Sequence, residues 1–116
     1  DWSAESGRRA GLELMTRNES LDAVFASNDQ MALGVMYAAH SLGRRIPEDL
    51  AVVGVDNIPE ASFFWPPLTS MRQRLRDAGA QAVRMLDALI AGADQNGSSD
   101  SATLLQPELI VRASTS

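Results

Sequence analysis

Residues 23–34, which read AVFASNDQMALG, decide the fold of this chain. The run 22–27 is short and nearly continuously apolar, which is typical of a strand covered on both faces, as in parallel sheets. Three consecutive helix-cap candidates occupy 27–29, and an apolar stripe then recurs at helical spacing from Met31 to Leu42. A strand that runs directly into a helix predicts a β–α–β unit and therefore an α/β fold.

The same alternation continues on both sides of this stretch. Small and apolar residues predict an amphipathic helix over about 3–17, and its two inward glycines, Gly7 and Gly11, predict close approach by another element. The other predicted elements are a buried strand over 50–55, a long structured loop over 56–70, a helix ending near Gly92, a mobile polar segment over 94–101, and strand at 104–105 and 109–111.

This order of elements requires crossover connections and a mostly parallel, Rossmann-like sheet. Ligands bind such sheets beyond the carboxyl ends of the strands, where Asn28 and Asp56 follow the two predicted strands. An amide and a carboxylate can together bind the hydroxyls of a polyol, and Trp2 could lay its ring against a sugar. The simpler alternatives are a helix cap for Asn28 or Asp56 and ordinary packing for Trp2.

Composition narrows the function classes. The 116 residues are 45% hydrophobic, and 10 basic against 15 acidic residues leave a net charge of −5, so we expect one domain, or part of a larger one, with no basic surface for nucleic acid. No apolar run of 18 residues is present, so we expect no membrane span; we likewise expect no signal peptide and a cytoplasmic location.

The residue types that carry most chemistry are scarce. The chain has no cysteine, which excludes disulfides and thiolate zinc sites, and its one histidine excludes a multi-histidine metal cluster. No serine, carboxylate pair or glycine run has a catalytic or phosphate-binding spacing. We therefore expect a protein that is not an enzyme and that needs no cofactor.

The second predicted helix has more apolar surface than one sheet face can cover. Leu33 and Tyr37 lie to the side of its stripe, and the loop adds the aromatic run 63–65. This excess predicts either a subunit interface or a second layer of the same domain.

Several segments resemble the sensor domain of LacI/GalR-type transcriptional repressors, in that family's order and spacing. They are residues 1–7 (DWSAESG), 23–34, 46–57 (IPEDLAVVGVDN), 66–70 (PPLTS) and 108–115 (ELIVRAST). The resemblance implies a two-lobed sensor of the type I periplasmic-binding-protein fold that binds a small effector, often a sugar or nucleobase, between its lobes. It also implies a homodimer that binds DNA only through an N-terminal headpiece, which this chain lacks.

The resemblance assigns roles to individual residues. Trp2, Asn28 and Asp56 match effector contacts, and Gln73 lies near the lobe crossover and is a further candidate; Leu75 stands where some sugar-responsive members have a ring-stacking aromatic residue. The dimer surface maps onto five residues: Arg8, Gln30, Leu33, Tyr37 and Phe64.

By the same resemblance, residues from about 1 to 71 belong to the second lobe, about 72–106 to the first lobe, and about 107–116 to the second lobe again. The helix over 72–92 would then lack the lobe that it covers, so we expect the isolated chain to self-associate. The main alternative function is a periplasmic solute-binding protein. An enzyme on a Rossmann-like sheet and a bare dimerisation module are the others.

Overall fold

The computed structural model describes residues 1–92 and 105–116. Within them a short 3-10 helix, Pro59–Phe63, precedes the third strand. The helices and strands, in chain order, are α1 (Ala4–Arg17), β1 (Ala23–Phe25), α2 (Asp29–Ser41), β2 (Ala51–Val55), β3 (Thr69–Arg72), α3 (Leu75–Ile90) and β4 (Glu108–Ile110). The predicted polar segment 94–101 and the predicted strand residue Leu104 lie outside the described residues.

The described residues form two compact units. The first unit consists of residues 1–72 and 108–116, and the second consists of residues 73–107, whose described part is mainly α3. The assignment of these segments to two lobes stays a prediction.

The first unit contains a mostly parallel sheet in the order β1-β2-β3-β4, which confirms the predicted α/β fold. β1 pairs with β2 and β2 pairs with β3 in parallel, whereas β3 and β4 are antiparallel. The prediction of a loop through Ser70 was wrong, because Thr69–Arg72 forms a strand between two others. Arg72, where the helix over 72–92 was expected to begin, instead belongs to β3 and makes an ion pair with Glu108 on β4.

The expectation that β1 is covered on both faces was also wrong. Among the described strands β1 is a three-residue edge strand, and Phe25 is 67% exposed. Val52 and Gly54 of the inner strand β2 are buried, and the alternate residues of that strand are half-buried. The apolar run of β1 therefore indicated a strand without indicating its place in the sheet.

Helix α2 lies between β2 and α1 and is buried on most of its surface. The two helices approach closely at small residues: a methyl group on Gly7 would overlap the Met31 carbonyl oxygen, and one on Gly34 would overlap that of Ala4. The close approach predicted from the glycines of α1 is thereby confirmed. This second layer also accounts for much of the apolar excess of α2, which leaves Leu33 and Tyr37 exposed.

Candidate functional site

Asn28 and Asp56 lie at the same edge of the sheet. Phe25 of β1 is in register with Val53 of β2, and the two candidate residues each lie three positions beyond this pair. The Ala26 N–H also donates to the Val53 carbonyl at 2.8 Å, so the pairing continues toward the strand ends. The structure thus brings these two sequence-predicted residues to one edge.

Asn28 links the end of β1 to the start of the chain. Its Oδ1 accepts a hydrogen bond from the Met31 N–H at 2.7 Å, so Asn28 is the N-cap of α2. This is the simpler alternative that the sequence offered for Asn28. Its Nδ2 donates to the Trp2 carbonyl at 3.0 Å. A primary amide has a second N–H and a second acceptor lone pair, so capping is compatible with a ligand contact.

Trp2 lies beside Asn28 and is 68% exposed. The backbone on either side is anchored, because the Ser3 N–H donates to the Asp1 carboxylate at 2.9 Å and the Ser6 hydroxyl donates to the Asp1 carbonyl at 2.6 Å. A fixed backbone with an exposed indole is suited to stacking against an apolar ring face.

Asp56 and Asn57 adopt left-handed backbone conformations, with φ of 103° and 52°. For residues other than glycine this conformation costs about 1–2 kcal/mol each, and it persists where surrounding contacts determine it. Three consecutive N–H groups are anchored here: that of Asp56 to the Met71 carbonyl (2.8 Å), that of Asn57 to Ser70 Oγ (3.0 Å) and that of Ile58 to a carboxylate (2.8 Å). The exposed Asp56 side chain is therefore held on a well-anchored turn.

The carboxylate that anchors Ile58 belongs to Asp29, a fully buried residue whose part in the site the sequence analysis missed. Its other oxygen accepts a hydrogen bond from the Ser70 hydroxyl at 2.6 Å. Gly54 leaves room for this carboxylate, because a methyl group there would overlap Asp29 Oδ1. One signal could have identified Asp29, which is spaced to fall on the buried stripe of α2 with Ala32 and Met36.

Arg112 braces the same turn from the C-terminal segment. Its Nη2 donates to Asn57 Oδ1 and its Nη1 to the Leu68 carbonyl, both at 2.7 Å. Sequence reasoning did not single out Arg112 for such a role, because its partners are 44 and 55 residues away along the chain.

Gln73 is the first residue of the second unit, whereas the other three effector candidates belong to the first unit. It is exposed, and its part in an effector site stays a prediction.

The candidate interface residues lie mostly around an open groove between α1 and α2. The groove has a volume of about 530 Å³ and is lined by Ala4, Glu5, Arg8, Leu33, Gly34 and Tyr37. Gln30, on α2, is exposed. Phe64 is half-buried against the core, whereas its neighbours Phe63 and Trp65 are 87% and 86% exposed. The structure therefore brings Arg8, Leu33 and Tyr37 to one groove, while the Phe64 side chain packs inward.

An ion pair fixes the charge at this groove. Arg8 donates hydrogen bonds from Nε and Nη2 to the Glu5 carboxylate at 2.9 and 2.7 Å. These bonds lower the pKa of Glu5 and raise the pKa of Arg8 from their ordinary values. Both side chains are therefore charged near neutral pH, and they add a polar edge to an apolar groove.

Two kinds of feature are absent from the described residues, a membrane-spanning helix and a metal-binding cluster. No helix within 1–92 or 105–116 is long and apolar enough to cross a membrane. In the same ranges no group of three or more histidine, aspartate or glutamate side chains could hold a metal ion.

The mostly parallel sheet and its helical layer match the fold expected from the sequence, and comparison with known proteins identifies the family. A family model described as a periplasmic binding protein-like domain matches residues 1–115, so the chain belongs to that family. Within it, the likeness to LacI/GalR-type transcriptional repressors predicted from the sequence is confirmed by the relatives that follow.

The HTH-type transcriptional repressor PurR of Haemophilus influenzae (strain PittEE) is 38% identical over 113 residues, which cover 97% of this chain and 34% of the relative. A LacI family transcriptional regulator from Arthrobacter sp. FB24, solved in complex with lactose, is 40% identical with a TM-score of 0.85, over 98% of this chain and 42% of that one. The lac repressor dimer bound to operator and the anti-inducer ONPF is 36% identical with a TM-score of 0.87, over 99% and 39%.

The chain spans about a quarter to a third of the length of the curated relatives it matches. Those relatives are transcriptional repressors rather than enzymes. The alternative of a periplasmic solute-binding protein is therefore not favoured.

Proposed function

We propose that this chain is the effector-binding and dimerisation part of a cytoplasmic transcriptional repressor, and that it senses a sugar or a related small polar ligand. Trp2, Asn28 and Asp56 contact the effector, together with Gln73. DNA is bound only through a headpiece outside this chain, and the segment itself catalyses no reaction.

The observation that carries the proposal is the convergence of polar side chains at one edge of a parallel sheet. Asn28 and Asp56 occupy matching positions beyond two registered strands, and Asn28 holds the backbone of Trp2 beside them. A carboxylate and an amide can bind neighbouring hydroxyls while an indole covers the apolar face of the ring. The lactose complex of the Arthrobacter relative supports a carbohydrate as the ligand class.

A homodimer is the second part of the proposal. The groove between α1 and α2 offers apolar surface at Leu33 and Tyr37, with charged Arg8 at its edge. With Gln30 and Phe64, these residues form the proposed interface. The solved dimer of the lac repressor supports a homodimer.

The effector site is tested with Asp56→Ala in the complete protein, titrated with lactose, cellobiose, ribose and free nucleobases. Loss of a charged hydrogen bond should weaken binding of the effector by about tenfold to a hundredfold. The free energy of unfolding should fall by no more than about 1 kcal/mol, because the side chain is exposed although the backbone is left-handed.

Asp22→Ala is the matched control, since Asp22 is an exposed aspartate just before β1, at the opposite end of the strands. Equal affinities for wild-type and Asp56→Ala protein would remove Asp56 from the site. If no compound in the panel binds, sensing of a sugar or nucleobase is wrong, and binding without any change in operator affinity would contradict the repressor function.

A further inference from the structure

The turn that carries Asp56 is held by groups that do not themselves face the strand-end surface. Ser70 Oγ accepts the Asn57 N–H and donates its own proton to Asp29 Oδ1, while Asp29 Oδ2 accepts the Ile58 N–H. Asp29 and Ser70 are both fully buried. A buried carboxylate that accepts hydrogen bonds from two donors elsewhere in the chain holds both donor groups at a defined distance and orientation.

We propose that Asp29 and Ser70 are positioning residues that hold the Asp56–Asn57 turn in its left-handed conformation and so aim the Asp56 carboxylate at the effector. The affinity consequence rests on the proposed function, whereas the conformational role does not. Asp29 follows Asn28 directly at the start of α2. Two neighbouring residues therefore act at the ends of two strands: Asn28 follows β1 and is itself a candidate ligand contact, whereas Asp29 holds the turn that follows β2.

The strained backbone favours this role over simple filling of the core. Two consecutive non-glycine residues at positive φ would relax toward ordinary conformations unless their surroundings prevented it. The contacts that prevent it are the anchored N–H groups of residues 56–58 and the Arg112 contact to Asn57 Oδ1. Strain concentrated next to a candidate ligand group is typical of a preorganised binding site.

The chain offers a matched control for a purely structural role. Ser114 is also fully buried; its hydroxyl accepts the Thr69 N–H at 2.8 Å and donates to the Val52 carbonyl at 2.6 Å. Ser70 and Ser114 thus each accept one backbone N–H and donate one hydrogen bond. Only Ser70 contacts the turn through its hydroxyl, so any difference between Ser70→Ala and Ser114→Ala reports on positioning.

The first experiment uses no ligand. Hydrogen–deuterium exchange in the complete protein is followed by mass spectrometry on peptides that cover residues 56–60, for wild type, Ser70→Ala, Asp29→Asn and Ser114→Ala. We expect exchange of this segment to be at least tenfold faster in Ser70→Ala and Asp29→Asn, and unchanged in Ser114→Ala. Unchanged exchange in Ser70→Ala, or equal acceleration in both serine variants, would overturn the conformational role.

The second experiment is a double-mutant cycle with lactose as the probe, or with whichever compound of the panel binds. Ser70→Ala should raise Kd about tenfold in the wild-type background and leave it unchanged in the Asp56→Ala background, since positioning acts through Asp56. An equal effect in both backgrounds, or an equal effect of Ser114→Ala, would contradict it. If nothing in the panel binds, the proposed function fails, while the exchange result still decides whether Asp29 and Ser70 hold the turn.

Discussion

Helices α2 and α3 differ in an instructive way: α3 has the more regular apolar stripe, yet its side chains are the less buried. In α2, residues such as Val35, Met36 and Ala39 are almost inaccessible to solvent. In α3 no residue is buried, and Leu86 and Ile90 on its apolar face are 58% and 76% exposed. α2 is covered by β2 on one side and by α1 on the other.

The contrast separates two properties that a sequence pattern combines. An apolar stripe shows that a helix has a face to bury, but it does not show which other element, if any, covers that face. Within the described chain, α2 has its covering elements. α3, in the second unit, presents its apolar face to solvent.

The largest expected difference in stability is between alanine variants of two methionines, Met36 on α2 and Met85 on α3, which are 2% and 41% exposed. Met36→Ala leaves a cavity in the core and should lower the free energy of unfolding by about 3 kcal/mol. Met85→Ala should change it by no more than about 0.5 kcal/mol. Urea denaturation of the two variants, at a protein concentration where the chain is monomeric, gives both values, and a similar loss in each would mean that α3 is buried in the monomer.

Two glycines give the next largest contrast. A methyl group at Gly34 would overlap α1, so Gly34→Ala should destabilise the protein by about 2 kcal/mol. Gly79, in the middle of α3, has open space at that position, and Gly79→Ala should stabilise the helix by about 1 kcal/mol. Urea denaturation measures both changes. If the two substitutions shifted the free energy of unfolding in the same direction, the predicted contrast between α2 and α3 would be wrong.

The exposed face of α3 also predicts that the isolated 116-residue chain self-associates. Leu86→Glu should raise the dissociation constant by about tenfold, because a leucine loses its apolar partner surface. Leu33→Glu tests the groove between α1 and α2 in the same way and shows which surface drives association. Sedimentation equilibrium measures both; a monomeric wild-type chain with α3 protected from hydrogen exchange would contradict the prediction.

The smallest effect concerns the loop after α2, where Arg45 donates from Nε and Nη2 to the Asp49 carboxylate at 2.9 and 2.8 Å. These bonds hold the pKa of Asp49 well below its ordinary value of 3.8. The pair should therefore stabilise the fold above about pH 4, and this contribution should disappear as pH falls through the lowered pKa. In Asp49→Asn the free energy of unfolding should therefore decrease slightly less as pH falls below about 4 than it does in the wild type. An equal decrease in both proteins would show that the ion pair does not contribute to stability.

The sequence predicted the elements with a strong local signal. α1 and α2 begin and end near the residues that caps and periodicity indicate, and Gly43 and Gly92 follow α2 and α3 with φ of 72° and 71°. β3 was missed because Thr69–Arg72 has no alternating pattern and follows two prolines. Its strand conformation depends on hydrogen bonds to β2 and β4, which are distant in sequence.

The candidate site divides in the same way. Asn28 and Asp56 could be predicted, because a polar residue directly after an apolar strand is a local pattern. The burial of Asp29 could be predicted from its spacing in α2, but neither Asp29 nor Arg112 could be assigned a role at the turn, since their partners Ser70 and Asn57 are 41 and 55 residues away. Long-range hydrogen bonds of this kind follow from how strands are ordered in the sheet.

The sequence by itself determined an α/β fold, the caps and glycines of its helices, and a set of strand-end residues suited to a polar ligand. Only the tertiary structure decided that β1 is an edge strand, that Asp29 anchors the turn after β2, and that α2 is buried while α3 is exposed. The physical reason is the range of the interactions. Capping and periodicity act over a few residues, whereas burial and buried hydrogen bonds depend on which distant segments meet.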